Sequence, residues 1–272
     1  MKDFNGKVAV ITGAGSGICR SLAVQLSREG AHLALGDINL ENLSKTEELL
    51  MKATRVSSHR VDVADRESMG TFASEVIAEH DRVDILINNA GITLTPTVFE
   101  DISEPDFMKV IDVNMWGVYY GIREFLPHLQ SRPEAIIVNM SSLAGLVGLY
   151  GYSPYAMSKF AIRGLTESLQ SELAGTNVSL LIVHPGGVKT NIIKNAPNLD
   201  DEQQREAAHG EFTRFALINP DTAARKILSA IKKNKRQLVF GIDARIVNFI
   251  RGMFPGRFPG ILKTFFSQAT FK

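Results

Sequence analysis

The chain has very little cysteine and almost no net charge. Its 272 residues include one cysteine, Cys19, and the formal net charge at pH 7 is +1. A single cysteine cannot form an internal disulfide bond, which favours a reducing compartment. A charge so close to zero argues against binding nucleic acid through bulk electrostatic attraction.

Long apolar runs, internal repeats and low-complexity linkers are also missing. No uncharged apolar stretch reaches the roughly 20 residues that a membrane-spanning helix needs. A strand-like segment begins at Lys7, which leaves no room for a signal peptide before it. With 44% hydrophobic residues, the chain has enough apolar side chains for one large core. We therefore expect a cytoplasmic protein.

Short apolar segments alternate with longer amphipathic ones. The short segments are rich in Val, Ile and Leu, which is typical of strands covered on both faces. This alternation predicts an α/β fold with a doubly wound parallel sheet, Rossmann-like, of about seven strands with helices on both faces. The predicted strands are 7–11, 32–35, 55–61, 83–87, 135–140, 178–183 and 237–240, and the predicted helices are 18–28, 40–52, 67–79, 105–129, 155–174 and 221–232.

A glycine-rich loop follows the first predicted strand, where residues 12–19 read TGAGSGIC. Glycines at a strand-to-helix turn let the backbone approach a pyrophosphate, which the N–H groups at the helix N-terminus attract. A tight turn without a ligand is the alternative. The position between a first strand and a helix favours dinucleotide binding.

The second predicted strand ends close to a carboxylate, Asp37, twenty residues after Gly17. A carboxylate there can accept hydrogen bonds from both hydroxyls of an adenosine ribose, and it repels the extra phosphate of NADP. No Arg or Lys directly follows it, so we expect NAD rather than NADP. The alternative is that Asp37 only caps the next helix.

Two further groups fall at the carboxyl ends of predicted strands, which is where doubly wound sheets bind ligands. Asp62 follows the third strand, and Asn88, Asn89, Ala90 and Gly91 follow the fourth. Each group alone could be a turn or a structural clamp. Their common position predicts a site.

Tyr155 and Lys159 lie four residues apart in a predicted helix and therefore share one face. A nearby ammonium stabilises a phenolate and moves the phenol pKa toward the range useful for general acid-base catalysis. A solvated helix face is the alternative for such a pair.

Together these segments resemble the short-chain dehydrogenase/reductase family, in its compact single-domain form. The matching motifs, in the order and spacing of the family, are TGAGSGI, NNAG at 88–91, Asn114 in DVNMWG, SS at 141–142, YAMSK at 155–159 and PGGVKT at 185–190. The resemblance runs from about residue 7 to about residue 240. It implies an NAD(P)-dependent oxidoreductase that forms a homodimer or homotetramer. No metal is expected, because no group of His, Cys and acidic residues has the spacing of metal ligands.

The resemblance also implies a role for individual residues. Tyr155 would exchange the proton, Lys159 would lower its pKa and hold the nicotinamide ribose, and Ser142 would hold the substrate oxygen. Asn114 would hold a water that links Lys159 to solvent, whereas Ser141 is interpreted as structural. The expected cofactor contacts are Gly13, Ser16, Gly17, Ile18, Asp37, Asp62, Val63, Asn89, Ala90, Gly91, Tyr155, Lys159, Pro185, Gly186, Val188 and Thr190.

Cys19 stands where the family pattern has its third glycine. That glycine permits close packing of the helix on the strand. We expect a compensated packing difference, because a buried cysteine behaves as a small hydrophobe. A reactive thiol near the pyrophosphate is the alternative.

The substrate is predicted to be hydrophobic. An apolar set follows Ser142, namely Leu143, Leu146, Val147 and Tyr150, and residues 191–219 are expected to form a mobile lid. We therefore expect a secondary alcohol or ketone on a steroid, a retinoid or a fatty chain. The same residues could instead pack against the lid or a neighbouring subunit.

The chain is expected to divide at residue 243. Residues 1–243 would form the dinucleotide-binding and catalytic domain. Residues 244–272 would be a basic, aromatic-rich extension, broken at Pro255 and Pro259, that packs on the same domain or an interface. A weak contact with a membrane surface is the alternative for this tail. The alternative functions are a catalytically silent NAD-binding scaffold and a membrane-surface protein that uses the tail.

Overall fold

A seven-stranded sheet organises the molecule. The structure is a computed structural model that describes residues 1–253, apart from the side chain of Phe215. The strand order is β3-β2-β1-β4-β5-β6-β7, and every neighbouring pair is parallel. The order reverses between β1 and β4, which creates the crevice where doubly wound sheets bind ligands. The predicted Rossmann-like fold is confirmed.

The elements have the following bounds. The strands are β1 (Val8–Thr12), β2 (His32–Asp37), β3 (Val56–Arg60), β4 (Ile85–Asn88), β5 (Ala135–Met140), β6 (Val178–Pro185) and β7 (Gln237–Phe240). The helices are α1 (Gly17–Arg28), α2 (Leu40–Glu47), α3 (Arg66–His80), α4 (Glu104–Ile111), α5 (Gly117–Gln130), α6 (Ser153–Glu172), α7 (Glu202–Phe215), α8 (Pro220–Lys232) and α9 (Ile242–Met253).

Apolar side chains form a core on each face of the sheet, because successive strand residues point to opposite faces. Ile11 of β1 packs in the core that contains α1 and α8. Its neighbour Val10 packs in the opposite core, which contains residues of α3, α5 and α6. Both are fully buried, which explains why the strands are apolar almost throughout.

The helix predicted at 105–129 is interrupted. Helix α4 passes through a π-helical turn, Asp112–Trp116, before α5 begins. Such turns occur where an extra residue is accommodated within a helix, often at functional sites. Here the turn carries Asn114, whose side chain bonds both the N–H and the carbonyl of Ile92.

The helix predicted at 40–52 is shorter than expected, because α2 ends at Glu47. Leu49 and Leu50 instead donate turn-type bonds to carbonyls three residues earlier. The Met51 N–H donates to the Ser27 hydroxyl of α1 at 3.4 Å. This tertiary contact has no local sequence signal.

The segment expected to form a mobile lid contains a helix, α7. The Asp201 side chain caps it by accepting from the Gln204 N–H at 2.8 Å. Gln204 in turn accepts from the Asp200 N–H at 3.3 Å. The Asp and Gln three residues apart form a local start signal that the sequence reasoning missed.

The last described element, α9, packs against the body of the protein. Its Val247 and Ile250 contact the cluster formed by Leu146 and Val147. The breaks expected at Pro255 and Pro259 lie outside the described residues. Within residues 1–253, no helix combines the length and the apolarity that crossing a bilayer requires.

Candidate active site

The carboxyl ends of the strands surround a cavity of about 960 Å³, at the upper end of the range for ligand pockets. The residues predicted to be catalytic or to contact the cofactor all line this cavity except Asn114. Asn88, of the same predicted group as Asn89, does not line it. Among residues 1–253, no three His, Cys, Asp or Glu side chains are grouped so as to hold a metal ion.

At one end of the cavity, the glycines of the loop residues 12–19 lie so close to neighbouring segments that a side chain in their place would collide with them. Gly13 has φ +68, and a Cβ there would lie 2.9 Å from the Ala90 Cα. Gly17 has φ +56, and its Cβ would lie 3.1 Å from the Thr190 methyl. The α1 N-cap, Ser16, makes no side-chain capping bond, so the first-turn N–H groups can meet a ligand. This cradle fits a pyrophosphate.

Asp37 lines the same cavity, and its carboxylate is oriented by two backbone groups. One oxygen accepts from the Gly15 N–H at 2.9 Å and the other from the Asn39 N–H at 3.0 Å. Helix α2 is capped by Asn39, which accepts from the Asn42 N–H at 3.0 Å. The capping alternative for Asp37 is therefore wrong, and its oxygens keep lone pairs for a ribose.

Arg20 is a residue of this region that sequence reasoning missed. Its guanidinium donates to the Thr46 hydroxyl at 3.0 Å, to the Asn42 carbonyl at 3.2 Å and to the Gly15 carbonyl. It therefore ties the glycine loop to α2. No sequence signal could identify it, because two of its partners come from an element more than twenty residues away.

Cys19 is fully buried in the core beneath the loop. Burial raises the pKa of its thiol well above the ordinary value, and the charge of Asp37 adds to the effect. A thiol in that environment is inert, since only the thiolate is a nucleophile. The structure supports the packing interpretation and not the reactive alternative.

Tyr155 and Lys159 meet in the first turns of α6. The Lys159 Nζ lies 5.5 Å from the centre of the Tyr155 ring and donates to the Met140 carbonyl at 3.0 Å. Only 4% of the Lys159 surface is exposed. Burial lowers the pKa of Lys159 to about 8.

The neighbour that lowers the pKa of Tyr155 is not the one that was expected. Burial raises the pKa of the phenol above its ordinary value, and a hydrogen bond with the Ser142 side chain opposes this. The expectation assigned the lowering to Lys159. The physical reason for the difference is that Lys159 is itself desolvated and its ammonium is directed at a backbone carbonyl.

The two neighbouring serines have different environments. Ser142 begins a 3₁₀ turn, Leu143–Gly145, and its hydroxyl accepts from the Ala144 N–H at 3.2 Å. Ser141 is buried, and its hydroxyl donates to the Lys159 carbonyl at 2.9 Å. Only Ser142 therefore presents a hydroxyl to Tyr155, whereas Ser141 ties β5 to α6.

Asn114 lies behind the cavity wall and is fully buried. Its amide also donates to the Ser158 hydroxyl at 3.0 Å. A Cβ on Gly91 would lie 3.0 Å from the Asn114 Oδ1 and 3.4 Å from the Lys159 Nζ. The absence of a side chain at Gly91 therefore lets Asn114 and Lys159 come close to each other.

The far end of the cavity is mostly apolar. Of the predicted wall residues, Leu143 and Tyr150 line the cavity. Leu146 and Val147 are instead buried behind it, against α9. Sequence reasoning expected a lid over the site but did not single out the individual residues that line this end of the cavity. Many of them come from the lid and α7. They are Leu149, Tyr152, Ile192, Ile193, Phe212 and Ala216.

Comparison with known proteins identifies the family. The family model described as short chain dehydrogenase matches residues 7–200. The chain belongs to the short-chain dehydrogenase family. It is accordingly an oxidoreductase with a nucleotide-binding Rossmann fold.

Relatives of this short-chain dehydrogenase extend over most of its length. SadH of Mycobacterium tuberculosis is 43% identical over 254 residues, which cover 92% of this chain and 91% of SadH. Cyclohexanol dehydrogenase of an Acinetobacter strain is 34% identical over 191 residues, 70% of this chain and 76% of that one. The solved structure of a short-chain dehydrogenase/reductase from Burkholderia phymatum in complex with NAD superposes on this chain with a TM-score of 0.85. The two sequences are 29% identical, and the superposition covers 94% of this chain and 96% of the Burkholderia chain.

Proposed function

We propose that this short-chain dehydrogenase interconverts a secondary alcohol and a ketone or aldehyde on a hydrophobic substrate, with Tyr155 as the general acid and base. The observation that carries the proposal is that Ser142, Tyr155 and Lys159 line one cavity together with the glycine cradle. The apolar lining from Leu143 and Ile193 supports a hydrophobic substrate. The name of the cyclohexanol dehydrogenase relative supports a secondary alcohol.

The chemistry divides between the cofactor and the side chains. A bound nicotinamide nucleotide supplies the acceptor or donor of hydride. Ser142 and Tyr155 hold the substrate oxygen, and Tyr155 takes the alcohol proton or returns it to the carbonyl oxygen. Lys159 is positively charged below its pKa of about 8, and its Nζ lies 5.5 Å from the centre of the Tyr155 ring. Asn114 would help hold a water that links Lys159 to solvent.

The decisive experiment replaces the phenol. Tyr155→Phe should lower turnover of a hydrophobic secondary alcohol by about a hundredfold or more, because general acid-base catalysis contributes at least that much. Binding of NAD, measured by calorimetry, should persist.

Tyr152→Phe is the matched control, since Tyr152 lines the same cavity. Burial, with the charges of Tyr155 and Glu211 adding to it, raises the pKa of Tyr152 to about 12. That phenol is poorly suited to act as a base near neutrality. Full activity in Tyr155→Phe would overturn the proposal. Binding of NAD by the unmodified protein without turnover of any alcohol would favour a silent scaffold instead.

NAD is the proposed cofactor, rather than NADP. Solved structures similar to this chain carry NAD in some cases and NADP in others. The Asp37 carboxylate at the ribose end of the cavity supports NAD, because it would repel a 2′-phosphate. Asp37→Asn should raise the ratio of kcat/KM for NADP over NAD. An unchanged ratio would contradict the assignment.

We further propose a homodimer or homotetramer. An aromatic cluster on the surface around α5 supports assembly. Trp116 stacks on Tyr120, both rings meet Tyr119 edge to face, and Trp116 and Tyr119 are exposed. Sedimentation equilibrium should give a mass of two or four chains. Tyr119→Glu should shift it toward one chain, and a monomeric parent protein would exclude the assembly.

A weak contact with an anionic membrane surface is the proposed role of α9. Ile242, Ile246, Phe249 and Met253 fall on one helix face and are exposed, with Ile242 at 71% and Phe249 at 68%. Arg245 and Asp243 are exposed beside them, and the Asp243 carboxylate accepts from the Gly187 N–H at 2.7 Å. Residues 254–272 contain Arg and Lys but no Asp or Glu. An apolar face with basic neighbours matches the chemistry of an anionic lipid surface.

Vesicle flotation tests this contact. The full chain should float with phosphatidylserine vesicles more than with phosphatidylcholine vesicles, and Phe249→Glu should reduce flotation. Leu49→Glu is the control, because Leu49 is a similarly exposed apolar residue elsewhere. A full-length protein that stays in the unbound fraction rules out the membrane contact.

A further inference from the structure

His184 is a fully buried polar side chain that the proposed reaction does not use. It lies on β6 immediately before Pro185, which lines the cavity. Its Nδ1 lies 3.0 Å from the backbone oxygen of Ser142. Its Nε2 is buried without a hydrogen-bond partner.

The protonation state of His184 follows from its surroundings. Burial lowers its pKa to about 4, the charge of Arg163 adds to this, and the bond to Ser142 and the charge of Glu167 oppose it. The ring is therefore neutral near pH 7. Because a carbonyl oxygen can only accept, the hydrogen of the neutral ring must lie on Nδ1. This fixes the tautomer.

The carbonyl that His184 holds belongs to the residue that supplies the catalytic hydroxyl. The Ser142 oxygen accepts from His184 and also from the Gly145 N–H at 3.0 Å. These two donors occupy both lone pairs of the oxygen. They fix the plane of the peptide that follows Ser142, at the point where β5 has ended and the 3₁₀ turn begins.

We propose that His184 is a positioning residue: its Nδ1–H holds the Ser142 carbonyl so that the Ser142 hydroxyl faces the Tyr155 phenol. The inference rests on the proposed function, since it assigns His184 a part in that reaction. Its effect on turnover passes through the Ser142 hydroxyl. A histidine that only filled the core would stabilise the fold without any dependence on that hydroxyl.

Three variants of His184 separate the effect of its hydrogen-bond donor from the effect of its side-chain volume. His184→Asn keeps an amide donor close to the position of Nδ1, whereas His184→Gln carries its donor further out and His184→Leu has none. His184→Leu and His184→Gln should lower kcat about tenfold, the equivalent of one lost hydrogen bond. His184→Asn should keep most of the activity, and the KM for NAD should stay unchanged in all three.

The same substitutions made in a Ser142→Ala background give the decisive readout. Once the hydroxyl is gone, His184→Leu and His184→Gln should cause no further loss of kcat. Equal losses in both backgrounds, or His184→Asn no better than His184→Gln, would overturn the inference. His184→Gln keeps a polar side chain, so the comparison of Asn with Gln decides the matter even if His184→Leu does not fold.

Failure of the His184 inference can be told apart from failure of the proposed function. If the unmodified protein turns over no alcohol or ketone, the proposed function fails and the inference fails with it. If the unmodified protein is active and His184→Gln matches it, only the role of His184 is lost.

Discussion

At the scale of single residues, the proposed chemistry depends on a buried phenol, that of Tyr155. Removing a phenol from water disfavours its ionised form, so burial alone would make Tyr155 a poor base. The Ser142 hydroxyl works against that penalty because it hydrogen-bonds the phenol oxygen. The Lys159 Nζ lies 5.5 Å from the centre of the ring, and burial lowers the pKa of Lys159 to about 8, which disfavours its charged form.

Ser142→Ala should move the pH dependence of alcohol oxidation. The Ser142 contact lowers the pKa of Tyr155, so its removal raises that pKa and shifts the rising limb of kcat/KM to higher pH. The measurement is a pH–rate profile between pH 6 and pH 10.

Ser141→Ala is the matched control, since its hydroxyl bonds the Lys159 carbonyl and not the phenol. Its rising limb should stay where it is in the parent protein. A rising limb that moves to lower pH in Ser142→Ala would refute the assignment.

At the scale of elements, one side chain of the segment expected to be a lid, Asn198, bonds to the segment before α4. Asn198 accepts from the Thr95 N–H at 3.0 Å and donates to the hydroxyls of Thr95 at 2.7 Å and Thr97 at 3.2 Å. Arg205 of α7 donates to the carbonyls of Lys194 and Ala196 and so shapes the lid itself. The lid is therefore fastened to the opposite wall of the cavity.

Asn198→Ala should loosen the lid without unfolding the protein. Three hydrogen bonds are lost, each contributing about 0.5–1.5 kcal/mol, and these are the bonds of Asn198 to the segment before α4. Limited trypsin digestion should cut after Lys194 faster than in the parent.

Gln203→Ala, an exposed change on α7, should leave the cutting rate unaltered. Equal rates of cutting in Asn198→Ala and the parent would show that Asn198 does not fasten the lid.

At the scale of the whole molecule, Asp84 joins distant parts of the chain at the edge of the sheet opposite the cavity. It is fully buried and accepts from the Val8 N–H at 2.9 Å and from the Arg132 Nε at 3.0 Å. Arg82 pairs with the same carboxylate at 3.5 Å. Asp84 therefore lies at the edge of the sheet opposite the candidate active site.

Asp84→Ala should reduce the free energy of unfolding by about 1–3 kcal/mol, because a buried N–H and a partly buried guanidinium lose their acceptor. Urea denaturation measures the loss. The kcat of the folded variant should match the parent, since the site lies at the other edge.

Asp101→Ala removes an exposed carboxylate as a control and should change neither quantity. A large fall in kcat for folded Asp84→Ala would mean that the two edges are coupled.

The parts of the site that sequence predicts are those with local signals. Two such signals each lie within a few residues: glycines at a strand-to-helix turn, and Tyr155 with Lys159 one helical turn apart. Arg20, His184 and Asn198 have no such signal, because their partners are remote in sequence. Helix α7 is a different case, since Asp201 and Gln204 form a capping signal that was present and overlooked.

The order of apolar and amphipathic segments was sufficient for the sheet and for the residues at the carboxyl ends of the strands, because parallel strands buried on both faces bring those ends to one edge. The family was predicted from six short sequence motifs. Tertiary structure alone decided which side chains touch at that edge. Three features depend on contacts between segments far apart in the chain. They are the Ser142 contact that opposes the rise in the pKa of Tyr155, the His184 donor to the Ser142 carbonyl, and the Asn198 amide that bonds the lid to the segment before α4. Local propensities do not encode such contacts, since they form only when the whole sheet is assembled.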